Sequence, residues 1–384
     1  MADSKYIYGS FSSDSPVEPF LKPGYKGDAD QVNICATGYT KANRNGKCLF
    51  ISEKIYNLPE LRTQLNFMDG NSADLVLQLI DKHGIPGCRL LNGKFTLILC
   101  EKDKITIVRD RNGEGPVIYL TKDFFTDSYS RLHDFKDYSP QPDLTGITAF
   151  LKIGYIPAPV TALKGVGKVP AGAVLYVTSK GFEYGKLFDF GEILKTDRKP
   201  VPLQEAIDRY SDLLKSSLKR RFGKAGTVGV LLSGGYDSGG NIAIARAVHS
   251  GEIKTYSIGF KDNPASELPY AKMMADKFGA DHHEYLMDGT EIEFLPEIID
   301  ALGDPFSESG FMLNYSVMKM VGSENLPVAI GGDGNDQYFG AGIRETALHY
   351  KMRSYGLKHL STLIDRLSDN RLFDKDNLAF RIHY

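Results

Sequence analysis

The stretch TVGVLLSGGYDSGGNIAIARAV, residues 227–248, is an apolar run that stops at Ser-Gly-Gly, shows an acid and then resumes with helical spacing. An all-apolar run is the pattern of a strand buried on both faces, so the break falls at the carboxyl end of a strand where a helix begins. Gly234 and Gly235 have no side chains to block approach, and backbone N–H groups there and in the first helical turn can point at an anion, helped by the helix dipole. Ser233 and Ser238 add hydroxyl donors. Asp237 would repel an anion unless a divalent cation lay between them, and a magnesium polyphosphate meets both conditions. The loop is neither a Walker A, which needs Gly-Lys-Ser/Thr, nor the dinucleotide G-x-G-x-x-G.

Around this stretch the pattern alternates. LQEAIDRYSDLLKSSLKRRF (203–222) predicts an amphipathic helix, IKTYSIGF (253–260) a strand, SELPYAKMMADKFG (266–279) a helix and HHEYLM (282–287) a strand. Alternating strands and helices with apolar strands predict a parallel sheet covered by helices. About a hundred residues on, LPVAIGGDGNDQYFGAG (326–342) repeats the design, with glycines and two acids, Asp333 and Asp336, after an apolar strand. Two such loops can face one nucleotide from both sides and share its metal.

The first half has another texture. GKCLFIS (46–52), KFTLILC (94–100) and KITIVRD (104–110) predict strands joined by tight turns. LPELRTQL (58–65) and SADLVLQLIDKHG (72–84) have helical spacing, with Ser72 placed to cap the second. More strand-like pieces are expected from 147 to 190, and LKTDRKPVPLQ (194–204) is the best linker candidate. The expected domains are therefore 1–192 and 200–384, an α+β half followed by an α/β half.

Charged residues make up 24% of the 384 and the formal net charge is -2, so no general attraction to nucleic acid or to an acidic membrane is implied. No run approaches a membrane span and the start lacks the apolar core of a secretory signal, so a cytoplasmic location is expected. Cys35, Cys48, Cys88 and Cys100 lack C-x-x-C spacing and are expected as free buried thiols. His282 and His283, adjacent on a strand, point to opposite faces and are expected to be structural. The bases of LKRRFGK (218–224) are expected to complement a helix end and remain solvated.

S-G-G-x-D-S after a strand resembles the pyrophosphate loop of the ATP pyrophosphatase group. The second loop resembles the G-[DE]-G-x-D-[EQ] segment of the asparagine synthetase and β-lactam synthetase family, and the likeness extends to residues 266–287 and to GDPFSESGFMLNYSVMK (303–319). The resemblance implies an N-terminal Ntn-hydrolase-like αββα sandwich followed by a doubly wound parallel-sheet ATP pyrophosphatase domain. It implies ATP and magnesium held by Ser233, Gly234, Gly235, Asp237 and Ser238, with Asp336 as the second metal carboxylate. Leu231, Leu232 and Ile258 would border the adenosine, and Gly332 would approach it by its backbone. Asp333 would orient the amine or take its proton, with a plain loop carboxylate as the alternative. Glu267 would face the substrate or simply favour a helix N-terminus.

In glutamine-dependent relatives a cysteine follows the initiator methionine. Here position 2 is Ala2. FISEKIYNLPELRTQL (50–65) resembles the family's N-G-E-I-Y-N…E-L-R, but Ser52, Glu53 and Lys54 stand where Asn, Gly and Glu would bind glutamine. Ala73, Asp74 and Leu75 replace the residues that hold its amine, and the arginine that pairs its carboxylate is not evident. Residues 89–120 keep the family's structural core. The expectation is a retained fold without glutaminase chemistry, and an ATP-dependent amide ligase acting on a small-molecule or peptide carboxylate, with neither nucleic acid nor membrane as partner. The family's lysine segment, K-x-D-x-x-x-M…E-x-R-x-P-F-L-D, is not found before Tyr384. The expectation is therefore a second domain truncated at its C-terminus, and the alternatives are an asparagine synthetase using ammonia or glutamine, or a non-catalytic ATP-binding partner protein whose lysine is supplied by another chain or absent; a homodimer is left open.

Overall fold

The computed structural model describes residues 6–11, 34–135, 138–195, 201–261, 266–308 and 310–335. The chain forms two compact units, Met1–Gly223 with Asp288–Lys319, and Lys224–Met287 with Met320–Tyr384. Ala2 and Asp336 lie outside the described residues.

The first unit begins with β1 (Tyr6–Ser10), β2 (Ile34–Thr37), β3 (Thr40–Arg44), β4 (Lys47–Ile55), α1 (Leu58–Leu65), α2 (Ser72–His83), β5 (Gly93–Glu101), β6 (Lys104–Arg109), β7 (Tyr119–Leu120) and β8 (Phe124–Thr126). It continues with α3 (Leu144–Ile153), β9 (Gly167–Lys168), β10 (Ala173–Thr178), β11 (Gly181–Lys186), α4 (Phe190–Lys195) and α5 (Leu203–Phe222). Six strands form a sheet in the order β11-β10-β6-β5-β4-β3 and five form another, β2-β1-β8-β7-β9. Alternation along β5 explains their stacking. Leu97 and Leu99 face a core shared with Leu75, Val76 and Leu79 of α2, while Ile98 and Cys100 face a second core with Ile7 of β1 and Phe125 of β8. A helical layer, a sheet and a second sheet thus lie one on another, as in an Ntn-hydrolase-like sandwich.

Three details differ from the sequence expectation. The cap of α2 is Asn71 rather than Ser72: its side chain accepts from the Asp74 backbone N–H at 3.0 Å and the Asp74 carboxylate accepts from the Asn71 N–H at 2.9 Å. Counted from Asn71 the acid falls three residues on, the reciprocal box spacing; counted from Ser72 it does not. Residues 147–153, expected among strand-like pieces, lie in α3, because the Asp143 carboxylate accepts from the N–H groups of Thr145 and Gly146, and Gly154 closes the helix in the left-handed conformation. The bases ending α5 are not simply solvated: Arg221 lies over the Tyr56 ring at 4.7 Å and Arg220 is 3.3 Å from Glu60. The cysteines are free and Cys48, Cys88 and Cys100 are buried, but Cys35, expected to be buried, is only half-buried because β2 is an edge strand; burial pushes the Cys88 thiol up to about 12, as expected of an inert core thiol.

The second unit carries β12 (Thr227–Leu231), α6 (Tyr236–Val248), β13 (Glu252–Phe260), α7 (Leu268–Lys277) and β14 (Asp281–Met287). After α8 (Leu295–Leu302), in the first unit, α9 (Gly310–Ser323) runs across the boundary of the units and leads to β15 (Ala329–Ile330). All four strands are parallel, in the order β14-β13-β12-β15. Val228 and Val230 of β12 are wholly buried, each worth about 1.5–3 kcal/mol in apolar burial. The chain winds outward from β12 to β14 and then returns to the other side of β12 as β15. The winding direction therefore reverses between β12 and β15, and loops leaving the carboxyl ends of those two strands flank the crevice where open α/β sheets bind ligands.

Candidate functional site

The Ser-Gly-Gly loop leaves β12 at this switch point. Leu232 is buried, its N–H donating to the Tyr256 carbonyl at 2.8 Å and its own carbonyl accepting from the Ser257 hydroxyl. From there the chain turns sharply at Gly234, with φ +87°, where a side chain would be strained. A Cβ on Gly234 would come within 2.9 Å of the Glu267 carbonyl oxygen and 3.0 Å of the Tyr270 Cβ, so the loop is packed against the start of α7. Ser233 and Ser238 close it: their hydroxyls are 3.0 Å apart, the Ser233 N–H donates to the Ser238 hydroxyl at 3.1 Å, and the Gly235 N–H donates to the Ser233 hydroxyl at 3.3 Å. Gly235 caps α6 without a side chain, and Asp237 stands exposed in the first turn.

The second loop lies directly against the first. A Cβ on Gly332 would meet the Ser238 backbone nitrogen at 3.2 Å and the Asp237 Cβ at 3.5 Å. Asn241, buried in α6, donates its side-chain N–H to the Gly331 carbonyl at 2.7 Å, and Asn335 donates to the Asp237 carboxylate at 3.0 Å. A Cβ on Gly331 would be 3.2 Å from the Asp333 carboxylate and 3.6 Å from Leu231 Cδ1. Ser233, Gly234, Gly235, Asp237, Ser238, Gly332, Asp333, Leu231 and the backbone of Glu267 are thus gathered within one set of contacts. Ile258 sits further along β13, opposite Tyr285, and is half-buried. Asp336 belongs to the same loop in sequence but lies outside the described residues.

Neither asparagine was singled out in the sequence. Asn241 reads as one polar residue in a helix, and Asn335 occupies the open position of the second motif; what joins each to its partner is a sequence separation of about a hundred residues that only the fold closes.

The loop suits an anion at Gly235, where only the Ser233 hydroxyl lies near the place of a side chain and serine hydroxyls and first-turn amides line the turn, while Gly234 and Gly332 are required by packing against α7 and α6. Among the described residues no three His, Cys, Asp or Glu side chains gather as a metal-binding group. A magnesium ion that relies on phosphate oxygens and water takes only one or two carboxylates, and Asp237 is an exposed one. The adjacent histidines bind within the sheet instead: His282 Nδ1 is 2.8 Å from the Thr255 hydroxyl, and His283 Nε2 is 2.9 Å from Asp281 while its ring stacks on Tyr256. Burial holds His282 below the ordinary histidine range, partly offset by Glu284. Among the described residues no helix is long and apolar enough to cross a membrane.

In the first unit the positions expected to have lost glutamine chemistry serve the fold. Ser52, Glu53 and Lys54 pair with Thr96, Phe95 and Lys94 in an unbroken β4–β5 ladder. Ala73 and Leu75 are wholly buried, and the Asp74 carboxylate is held in the cap of α2.

Comparison with known proteins finds two family models along the chain. The asparagine synthase family matches residues 209–378 and the glutamine amidotransferase domain matches residues 40–188. A Methanocaldococcus jannaschii protein carrying the name of a second glutamine-hydrolyzing asparagine synthetase is 27% identical over 302 residues, covering 75% of this chain and 57% of that protein. Asparagine synthetase [glutamine-hydrolyzing] 1 of Bacillus subtilis is 25% identical, covering 76% and 47%. Carboxyethyl-arginine beta-lactam-synthase of Streptomyces clavuligerus is 26% identical, covering 63% and 45%. The chain spans about half the length of these relatives.

Proposed function

We propose, taking the chain as a member of the asparagine synthetase family whose two domains it carries, that it joins a carboxylate to an amine using ATP and does not hydrolyse glutamine. The observation that carries this reading is the contact of two glycine-rich strand-end loops across the switch point of the sheet, with the Asp237 carboxylate between them.

A carboxylate in water will not condense with an amine, because its carbon is a poor electrophile. In the proposed reaction a carboxylate oxygen attacks the α-phosphorus of ATP, the bond to the β-phosphate breaks and pyrophosphate leaves. The amine nitrogen then attacks the acyl carbon, the carbon–oxygen bond to the phosphate breaks and AMP departs. Ser233, Gly234, Gly235 and Ser238 would hold the departing pyrophosphate through hydroxyls and backbone N–H groups. Asp237, with Asp336, would hold magnesium, which when bound neutralises charge on the leaving group. Leu231, Leu232, Ile258 and Gly332 would border the adenosine. Asp333 would take the proton of the attacking amine, and Glu267 would face the substrate.

Independence from glutamine is supported by the use of Asp74 as a helix cap and by Ser52, Glu53 and Lys54 standing where Asn, Gly and Glu would bind glutamine. The amine would be free ammonia or an amino group of the substrate, as in β-lactam formation. Amidation of aspartate is the second reading, favoured by the carboxylate at Asp333. The cytoplasm, where ATP and magnesium are abundant, suits either. Pyrophosphate release from Mg-ATP, assayed against aspartate, other amino acids and short peptides with ammonium or glutamine present, tests the proposal: release that requires a carboxylate and ignores glutamine supports it, and release coupled to glutamine hydrolysis contradicts it.

A further inference from the structure

The contact between Asn335 and Asp237 carries a second assignment, which rests on the reading of this site as one for Mg-ATP. Asp237 is exposed, in the first turn of α6, and an exposed carboxylate turns freely unless something holds it. Asn335 Nδ2 donates to Asp237 Oδ1 at 3.0 Å. A neutral amide in that place uses one carboxylate oxygen and leaves the other for a cation, without bringing a positive charge that would compete with it. Arg or Lys would satisfy the same oxygen but repel a metal.

The placement is fixed from behind. The Gly331 carbonyl is tied to the side chain of Asn241, and Gly332 lies against the Ser238 backbone nitrogen and the Asp237 Cβ. Two asparagines therefore bridge α6 and the second loop in opposite directions: Asn241 reaches from α6 to the second loop's backbone, and Asn335 from the second loop to the acid of α6. We propose that Asn335 is a positioning residue for the metal, orienting Asp237 so that a single oxygen faces the cation that accompanies the polyphosphate. It acts through Asp237, in the way that hydrogen-bonded partners orient ligating side chains at metal sites generally. The open position of the second motif would then be where this chain tunes its metal affinity.

The test uses the full chain and compares the affinity for ATP in excess EDTA with that for Mg-ATP, by calorimetry, in the wild type, Asn335→Ala and Asn335→Asp. The ratio of the two affinities reads the metal's contribution apart from the loop's. Asn335→Ala is expected to lower that ratio about tenfold while leaving metal-free ATP binding within about twofold. Asn335→Asp, which brings a second carboxylate to Asp237, is expected to lose metal-free ATP binding through repulsion and to raise the ratio above that of the wild type. A ratio unchanged in Asn335→Ala, or equal losses with and without magnesium, overturns the assignment while leaving the nucleotide site intact. Failure of the wild type to bind ATP under either condition overturns the reading of the site itself, and this assignment with it.

Discussion

Asn241, on the second turn of α6, donates its side-chain N–H to the carbonyl of Gly331 across 2.7 Å, joining residues 90 apart in sequence. The amide is buried, so its loss leaves the Gly331 carbonyl without that donor. Asn241→Ala is therefore expected to cost about 1–3 kcal/mol of stability, read by chemical denaturation. Stability equal to wild type would mean that the two glycine loops are not held together by this bond.

Two adjacent glycines separate backbone demands from ligand demands. Gly234 has φ +87° and a backbone carbonyl 2.9 Å from where a Cβ would stand, so Gly234→Ala is expected to destabilise by about 1–3 kcal/mol. Gly235 has φ -75° and only the Ser233 hydroxyl, at 3.4 Å, in the way. Gly235→Ala should melt like the wild type yet bind Mg-ATP more weakly, because on the proposed reading the new methyl crowds the Ser233 hydroxyl and the first-turn amides that would receive the phosphates. Thermal melts beside calorimetry check both, and normal nucleotide binding by Gly235→Ala would remove the loop from the phosphate site.

The cap of α2 offers a test in the first unit. Asp74→Ala breaks the reciprocal box with Asn71 and should lower stability by about 1 kcal/mol. Ligation per folded molecule should not change. A selective loss of activity, with the melt unaltered, would return Asp74 to a substrate-binding role.

His282 gives a dependence on pH. Burial lowers its folded-state value below the ordinary 6.5, so the unfolded chain binds the proton more readily. The stability that this residue contributes is complete above 6.5 and is lost as pH falls below that value toward the depressed one. Melting temperatures from pH 8 to pH 5 should fall more steeply for the wild type than for His282→Gln, and parallel curves would contradict the assignment.

Much of this was legible in the sequence, and the exceptions differ in cause. The runs at 94–100, 227–231 and 253–260 sit in strands because burial on both faces favours apolar side chains, and the hydroxyls it does admit, on Thr96, Thr255 and Ser257, are hydrogen-bonded. The two glycine loops were legible because a turn at φ +87° and the close approach of two backbones demand residues without side chains. The α2 cap was misassigned by one residue although the signal was present, since Asn71 and Ser72 both cap well and only the spacing to Asp74 decides. Residues 147–153 were misread because Leu, Ile and Phe suit either period, and the deciding features are the flanking Asp143 and Gly154. Asn241 and Asn335 could not be read at all: a bond between loops remote in sequence has no local signature.

The most direct test of the central claim is calorimetric titration of Mg-ATP into the full chain and into Asp237→Asn. Saturable heat with the wild type and binding at least about tenfold weaker in the variant are the predicted result. No heat with the wild type, or equal affinity in the two proteins, would contradict the account.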